Sequence, residues 1–258
     1  MSHDVRIIDD LKTAAILAGC AGLFGAATVP VLLPTVFEHF PPEQRTLPLP
    51  LPLFCVVLVI QFLIIYGLLA LAGLRLARTR NREPAPLLTS FWSRGPGDWS
   101  AGRASLAFGS GVLCGGILVA AIAIIKRTLP HTLPGMLHPP SFWGALLASA
   151  TASFGEEILC RLFLLSALLR ILPVSRKNTV VAVVIDSLLF GALHAPAAAF
   201  LFGGLENIPS LSWVWIGVLN AIVGITCAVW YVRIGIGGAI LAHFGADLVW
   251  HVVAQLFQ

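Results

Sequence analysis

Long apolar runs separated by short polar stretches make up most of this chain. Runs long enough to cross about 30 Å of hydrocarbon lie near Thr13 to Val36, Leu49 to Leu76, Ala104 to Ile125, Phe142 to Leu172, Thr179 to Phe202, Leu211 to Val232 and Gly237 to Phe257. They predict an all-α fold, a polytopic transmembrane helix bundle of about seven spans, six to eight. None of the runs alternates apolar with polar residues as a membrane barrel strand must, and a helix satisfies its backbone polar groups within its own segment. The longest polar stretch, Ala77 to Arg103, contains Pro84, Pro86, Gly95, Pro96 and Gly97 and predicts an irregular surface loop. No repeat or low-complexity segment marks a second domain, so one integral membrane domain is expected.

Composition agrees with this reading. Hydrophobic residues make up 58% and charged residues 11%, against about 25% charged in soluble proteins. The formal charge of +4 is explained by topology rather than by a nucleic-acid partner. With the N terminus in the cytoplasm, Arg6, Lys12, Arg75, Arg78, Arg80, Arg82, Arg94, Arg103, Arg170, Arg176, Lys177 and Arg233 share the cytoplasmic face. Arg45, Lys126 and Arg127 fall on the other face and Arg161 lies within the membrane, which follows the positive-inside rule. A multi-pass protein of a bacterial inner membrane is the expectation, with the bilayer as its first partner. Cys20, Cys55, Cys114, Cys160 and Cys227 are odd in number and form no Cys-x-x-Cys pair, so neither a disulfide framework nor a thiolate metal site is indicated. Leu17 to Cys20 resembles a lipoprotein cleavage box, but hydrophobicity continues past the cysteine and a retained first helix is expected.

Charge inside the apolar runs is the informative exception. Glu156, Glu157 and Arg161 interrupt the fourth run, and each ionised group at a helix centre costs roughly 2.5 to 3.5 kcal/mol on insertion scales. Glu157 and Arg161 stand at i and i+4 with the acid N-terminal, the favourable order for an ion pair. Glu156 is rotated about 100° from Glu157, so it faces other surroundings, free to take and release a proton as a general base does. Asp186, Phe190 and His194 form a stripe with a spacing of four on the fifth run, with Asp186 near enough to its polar end to face water. His243, Asp247 and His251 form another on the last run. A carboxylate one turn from an imidazole can hold its tautomer, which makes His243 and Asp247 the stronger pair, while His251, close to Trp250, reads as interfacial. Gln61 and Asn220 read as helix-helix hydrogen bonds, and Trp92, Trp99, Trp143, Trp213 and Trp215 as interfacial anchors. Counted from the basic ends at about 1.5 Å per residue, Glu156, His194 and His243 lie roughly 21, 24 and 15 Å deep, so they can share one layer.

These residues permit several chemistries. Two histidines and a carboxylate can hold zinc with an open position for water, and a glutamate with a histidine can activate water without metal. Protonatable groups at the midplane also serve proton-coupled transporters, although no inverted repeat is visible. A noncatalytic scaffold or immunity protein could carry the same groups.

Glu156-Glu157-x-x-x-Arg161, then Phe190-x-x-x-His194, then His243-x-x-x-Asp247 resemble the three ordered motifs of the CPBP (CAAX protease and bacteriocin-processing, or Abi) family of intramembrane proteases, the Rce1-like proteins included. The resemblance runs from Phe142 to the C terminus. It divides the chain into N-terminal transmembrane helices with a cytoplasmic loop, residues 1–141, and a catalytic helix core, residues 142–258. It implies an intramembrane endopeptidase acting on a membrane-anchored or prenylated protein or peptide. Glu156 would activate water with the help of His194, His243 and Asp247 would address the carbonyl oxygen, and Glu157, Arg161 and Phe190 would support the site. No cofactor is favoured. Zinc is the alternative, held by Glu156, His194, His243 and Asp247. Two positions depart from the family pattern: Leu162 stands where many members have Gly, and Asp247 where Asn is common. An ionised Asp cannot donate to an oxyanion as Asn can.

Overall fold

A computed structural model describes residues 3–38, 40–79, 83–90, 99–128 and 141–253. Arg80, Arg82, Trp92 and Arg94 lie outside the described residues, as does the end of the seventh predicted run. All regular structure among the described residues is helical. The helices are α1 (His3–Glu38), α2 (Leu51–Arg78), the short α3 (Pro86–Thr89), α4 (Ala101–Thr128), α5 (Phe142–Glu157), α6 (Ser166–Ile171), α7 (Arg176–Ala192), α8 (Ala195–Phe202), α9 (Ser210–Ile234) and α10 (Ile236–Leu248). Ile158–Leu165 joins α5 to α6 as a π-helical segment, so Phe142–Ile171 is one uninterrupted rod. A second π-helical segment, Val249–Val253, extends α10.

Five stretches are long and apolar enough to cross a membrane: Ile7–Glu38, Leu51–Arg78, Ala101–Ile125, Arg176–Phe202 and Ser210–Ile234. Ile236–Val252 is a shorter apolar helix. The α5–α6 rod completes the seven predicted elements, and Glu156, Glu157, Arg161 and Arg170 are what distinguish it from the apolar five. The chain is an integral membrane protein. Its outer surface carries large exposed apolar side chains such as Leu68, Leu113, Ile124 and Leu188, the arrangement that lipid rather than water requires.

Two elements differ from the sequence expectation. The fifth run is not one unbroken helix, because α7 ends at Ala192 and α8 begins at Ala195, with Pro196 in its first turn. Proline has no N–H to donate to the carbonyl four residues back, so the ladder is interrupted where His194 sits. The Ala77 to Arg103 stretch is not wholly a surface loop either. Ala85, Pro86 and Thr89 are buried, and the Ile236 N–H donates to the Pro84 carbonyl oxygen at 2.7 Å. That bond pins the α9–α10 turn, where Gly235 has φ 78° and a Cβ would collide with Pro84. Only glycine meets both demands without strain.

Small residues set the closest helix contact. α4 lies against α10, and a Cβ added at Gly111 would fall on the Ala242 carbonyl, while one at Gly115 would come within 2.6 Å of the Ala246 oxygen. Backbone-to-backbone approach of this kind replaces the hydrophobic effect as the source of association in lipid. It fixes α10, and with it His243 and Asp247. Gly109, on the same helix, has nothing within 4 Å of such a Cβ. Gly111→Ala is therefore expected to cost about 1 to 3 kcal/mol by overpacking, whereas Gly109→Ala leaves stability level or slightly improved. Thermal unfolding of the two variants in detergent checks this, and equal melting temperatures would contradict the packing described.

Candidate active site

The site is assembled from four helical segments around one buried cation. Arg161 lies in the π-helical segment and is completely buried. Its Nη1 is 3.1 Å from Glu157 Oε1, its Nε is 3.6 Å from Asp186 Oδ2, and its Nη2 donates to the Gly224 carbonyl at 3.0 Å. The guanidinium also lies over the Phe190 ring, 4.3 Å from its centroid. The predicted Glu157–Arg161 pair is thus present, within a wider set of partners. Asp186 does not face water. It is fully buried, since the i, i+4 stripe of α7 turns inward, and it meets Arg161 there. Buried carboxylates need such a partner.

Glu157 connects this cation to α10. Its Oε1 also accepts from His243 Nδ1 at 2.8 Å. The carboxylate that orients His243 is consequently Glu157, from a different helix. Asp247, one turn along α10, instead approaches the other ring nitrogen, with Oδ2 3.5 Å from Nε2. His194 is anchored in parallel fashion: its Nδ1 lies 2.9 Å from the Phe190 carbonyl oxygen and donates to it. Phe190 meets both imidazoles edge-on, with ring centroids 4.9 Å from His194 and 5.6 Å from His243. Such contacts restrict ring rotation in addition to burying area.

Glu156 is the exposed member of the cluster. Its side chain is 39% accessible, while Glu157 beside it is sealed off, which is the division that the 100° offset predicts. Its Oε2 is buried, has no direct hydrogen bond, and stands 4.0 Å from His194 Nε2 and 3.9 Å from His243 Nε2. All four predicted catalytic groups, Glu156, His194, His243 and Asp247, line one cavity of about 460 Å³. The rest of its wall is mainly apolar, including Leu118, Phe200, Trp215 and Trp250. Three assignments change here. Trp215 and His251 line the cavity, not the membrane interface alone, because α9 turns Trp215 inward and the π-helical end of α10 resets the register of His251. Asn220 also lines the cavity and donates to Ile216 O of its own helix, not to a neighbour.

The nitrogens left free by these anchors set what the site can hold. Both histidines present Nε2 toward Glu156, and two imidazoles with two carboxylates are chemically suited to zinc. Their separations, 3.5 to 4.0 Å, are wider than the roughly 3.3 Å between ligands of a tetrahedral ion with bonds near 2.0 Å. Glu157, Cys227 and His243 form a second cluster whose ligand atoms lie within 4.8 Å of one another. It is wholly buried, and Glu157 Oε1 is already engaged by both His243 Nδ1 and Arg161 Nη1.

Residues missed in the sequence are backbone groups. The Gly224 carbonyl accepts from Arg161 and the Phe190 carbonyl from His194, and nothing in a one-letter code marks a carbonyl. Glycine at 224 was the available signal, since a Cβ there would come 3.0 Å from Ser187 and 3.3 Å from Arg161 Nη2.

Residues 138–249 match the model of the family described as Rce1-like, type II CAAX prenyl endopeptidase Rce1-like, somewhat under half of the chain. The match contains all three motifs and ends just past Asp247. No curated protein and no solved structure matches.

Removing one partner from a buried ion pair costs about 3 to 5 kcal/mol, because it strands the other charge. Arg161→Ala, which strands both Glu157 and Asp186, is expected to lower the melting temperature in detergent far more than Glu156→Ala, which empties a half-exposed position. Equal melting temperatures would show that Arg161 does not hold the cluster.

Proposed function

We propose that this chain is an Rce1-like intramembrane endopeptidase that hydrolyses a peptide bond of a membrane-associated protein or peptide with water activated by Glu156. The observation that carries this reading is the position of Glu156 Oε2, almost equidistant from two imidazole nitrogens at a separation that one bridging water spans. Glu156 takes a proton from that water, and the oxygen attacks the carbonyl carbon. His194, with its Nδ1–H engaged by Phe190, offers Nε2 as an acceptor that aligns the water. His243 acts as a donor: with Nδ1–H held by Glu157, a proton on Nε2 faces the developing oxyanion. Glu156 then returns its proton to the amine nitrogen as the C–N bond breaks and the oxyanion collapses to the new carboxyl group. Asp247 stabilises the protonated His243 from the Nε2 side rather than donating to the oxyanion itself. The α7 and α9 walls give the peptide an apolar channel, which suits a chain delivered from lipid.

Zinc remains the second reading because both histidines are fixed at Nδ1 and free at Nε2, the arrangement that metal-binding imidazoles adopt. There Glu156, His194, His243 and Asp247 would hold the ion, which would supply a Lewis acid and a more acidic water. A proton-coupled transporter would need the cavity to connect both faces, and buried Leu162, Leu165, Cys227 and Tyr231 close one of them.

Glu156→Gln is expected to abolish cleavage of membrane-anchored peptides by purified protein while leaving the fold intact. Wild-type turnover in that variant would move water activation to another carboxylate. Asp247→Asn separates the two mechanisms. Without metal it keeps or raises activity, since the amide places a donor beside the developing oxyanion that offsets the lost charge support of His243, and phenanthroline has no effect. With zinc it removes an anionic ligand and weakens metal affinity by more than the roughly 10 to 100-fold that loss of an outer-shell partner costs, and chelation stops turnover until zinc is restored.

A further inference from the structure

The wall that α9 gives the cavity is apolar apart from one carboxamide and one indole. Trp215, Ile216, Leu219, Asn220 and Val223 form the stripe that faces it, all within the unbroken Ser210–Ile234 helix. Asn220 donates one Nδ2–H to the Ile216 carbonyl oxygen at 2.8 Å. That bond stays within α9, so it ties the helix to no neighbour. It fixes the orientation of the amide and leaves its oxygen and its second N–H for the cavity. An amide only half satisfied on such a wall costs stability unless a ligand completes its bonds.

Position narrows the kind of ligand. Gly224 is four residues further along the same helix, about 6 Å. Arg161 bonds both the Gly224 carbonyl and Glu157, and Glu157 holds His243, so Gly224 marks the level of the buried cluster. Val223, next to it, lines the cavity together with Glu156 and His243. Asn220 thus stands one helical turn from that level, a distance that about two residues of extended peptide cover at about 3.3 Å each. A peptide entering here gives up water on its N–H and C=O groups, which need partners when buried. Leu118, Ile122, Phe200, Leu201 and Leu219 around the cavity have no hydrogen-bonding side-chain group to offer.

We propose that Asn220 is a substrate-positioning residue, whose carboxamide oxygen and second N–H pair with the backbone N–H and C=O of one substrate residue about two positions from the scissile bond. In extended backbone those two groups of a residue point the same way, so one amide meets both, as a neighbouring strand does. The contact holds the peptide extended along α9 and sets which bond stands opposite Glu156. It reads backbone rather than side chains. This rests on the hydrolytic reading of the site and adds to it a determinant of register, carried by a residue that takes no part in proton transfer.

Binding tests this apart from turnover, on the full chain in detergent with Glu156→Gln to prevent cleavage. The probe is a fluorescent farnesylated CaaX peptide, with an N-methyl group placed in turn on each amide flanking the scissile bond. Asn220→Leu keeps the volume but removes donor and acceptor, and is expected to raise Kd roughly 10 to 100-fold, while Asn220→Gln keeps part of the affinity. At one flanking amide, N-methylation is expected to raise Kd by a similar factor when Asn220 is present and to add little in Asn220→Leu. A merely structural residue produces no such coupling. Unchanged affinity in Asn220→Leu overturns the proposal, as do losses that multiply at every amide. Collapse of the melting temperature in both Asn220→Leu and Asn220→Ala overturns it too, because the amide would then hold the helix and not the substrate. If the protein binds no form of the peptide, the hydrolytic reading falls with the proposal. If Glu156→Gln cleaves the probe at the wild-type rate, water activation by Glu156 fails alone, and the coupling at Asn220 is read from KM.

Discussion

One buried guanidinium sets the constraints on everything around it. Arg161 has no water to solvate it, so its compensation comes from Glu157, Asp186, the Gly224 carbonyl and the face of Phe190, drawn from the α5–α6 rod, α7 and α9. Those helices cannot slide or rotate independently without stranding a charge in low dielectric. Glu157 transmits the constraint to α10 through His243. The groups assigned to chemistry are thereby positioned by an electrostatic anchor one layer deeper, where no substrate reaches.

Polar groups in this protein sort by depth and by partner. Glu157 and Glu156 are neighbours in sequence and share a residue type, yet one is sealed against Arg161 and the other lines a cavity wall. Burial with a cation makes the first a structural group. Partial exposure with two imidazoles nearby makes the second available for proton transfer. The same contrast separates Asp186, locked under Arg161, from Asp247, which faces the cavity.

Much of this was legible from spacing. Apolar run lengths gave the helices, the i, i+4 separation gave the Glu157–Arg161 pair, and the depth count correctly placed Glu156, His194 and His243 in one layer. Spacing along a helix says nothing about which neighbour a side chain selects, however. Asp247 was the natural orienter of His243 because it is one turn away, but Glu157 occupies Nδ1 across a helix-helix interface. Asp186 was placed near water by counting from a polar end, whereas its azimuth, set by packing against α9, decides its surroundings. The break at His194 was signalled by Pro196. The π-helical segments had no signal in composition, since their residues are ordinary helix formers.

Those segments give the chain a sensitivity in length that composition does not reveal. A π-helical stretch accommodates a residue more than α-helical winding would, and Ile158–Leu165 places that surplus between the glutamates and the basic end of the rod. Deleting a single residue there would let the winding relax to α-helix without breaking the rod or lowering its hydrophobicity. The flanking halves would stay nearly in phase, because the wider winding is what absorbs the surplus, but Arg161, which lies inside the stretch, would be turned relative to Glu157 and Asp186. A one-residue change of length in this segment would therefore be felt at the guanidinium itself and not along the whole rod, so the rest of the helix is buffered against it.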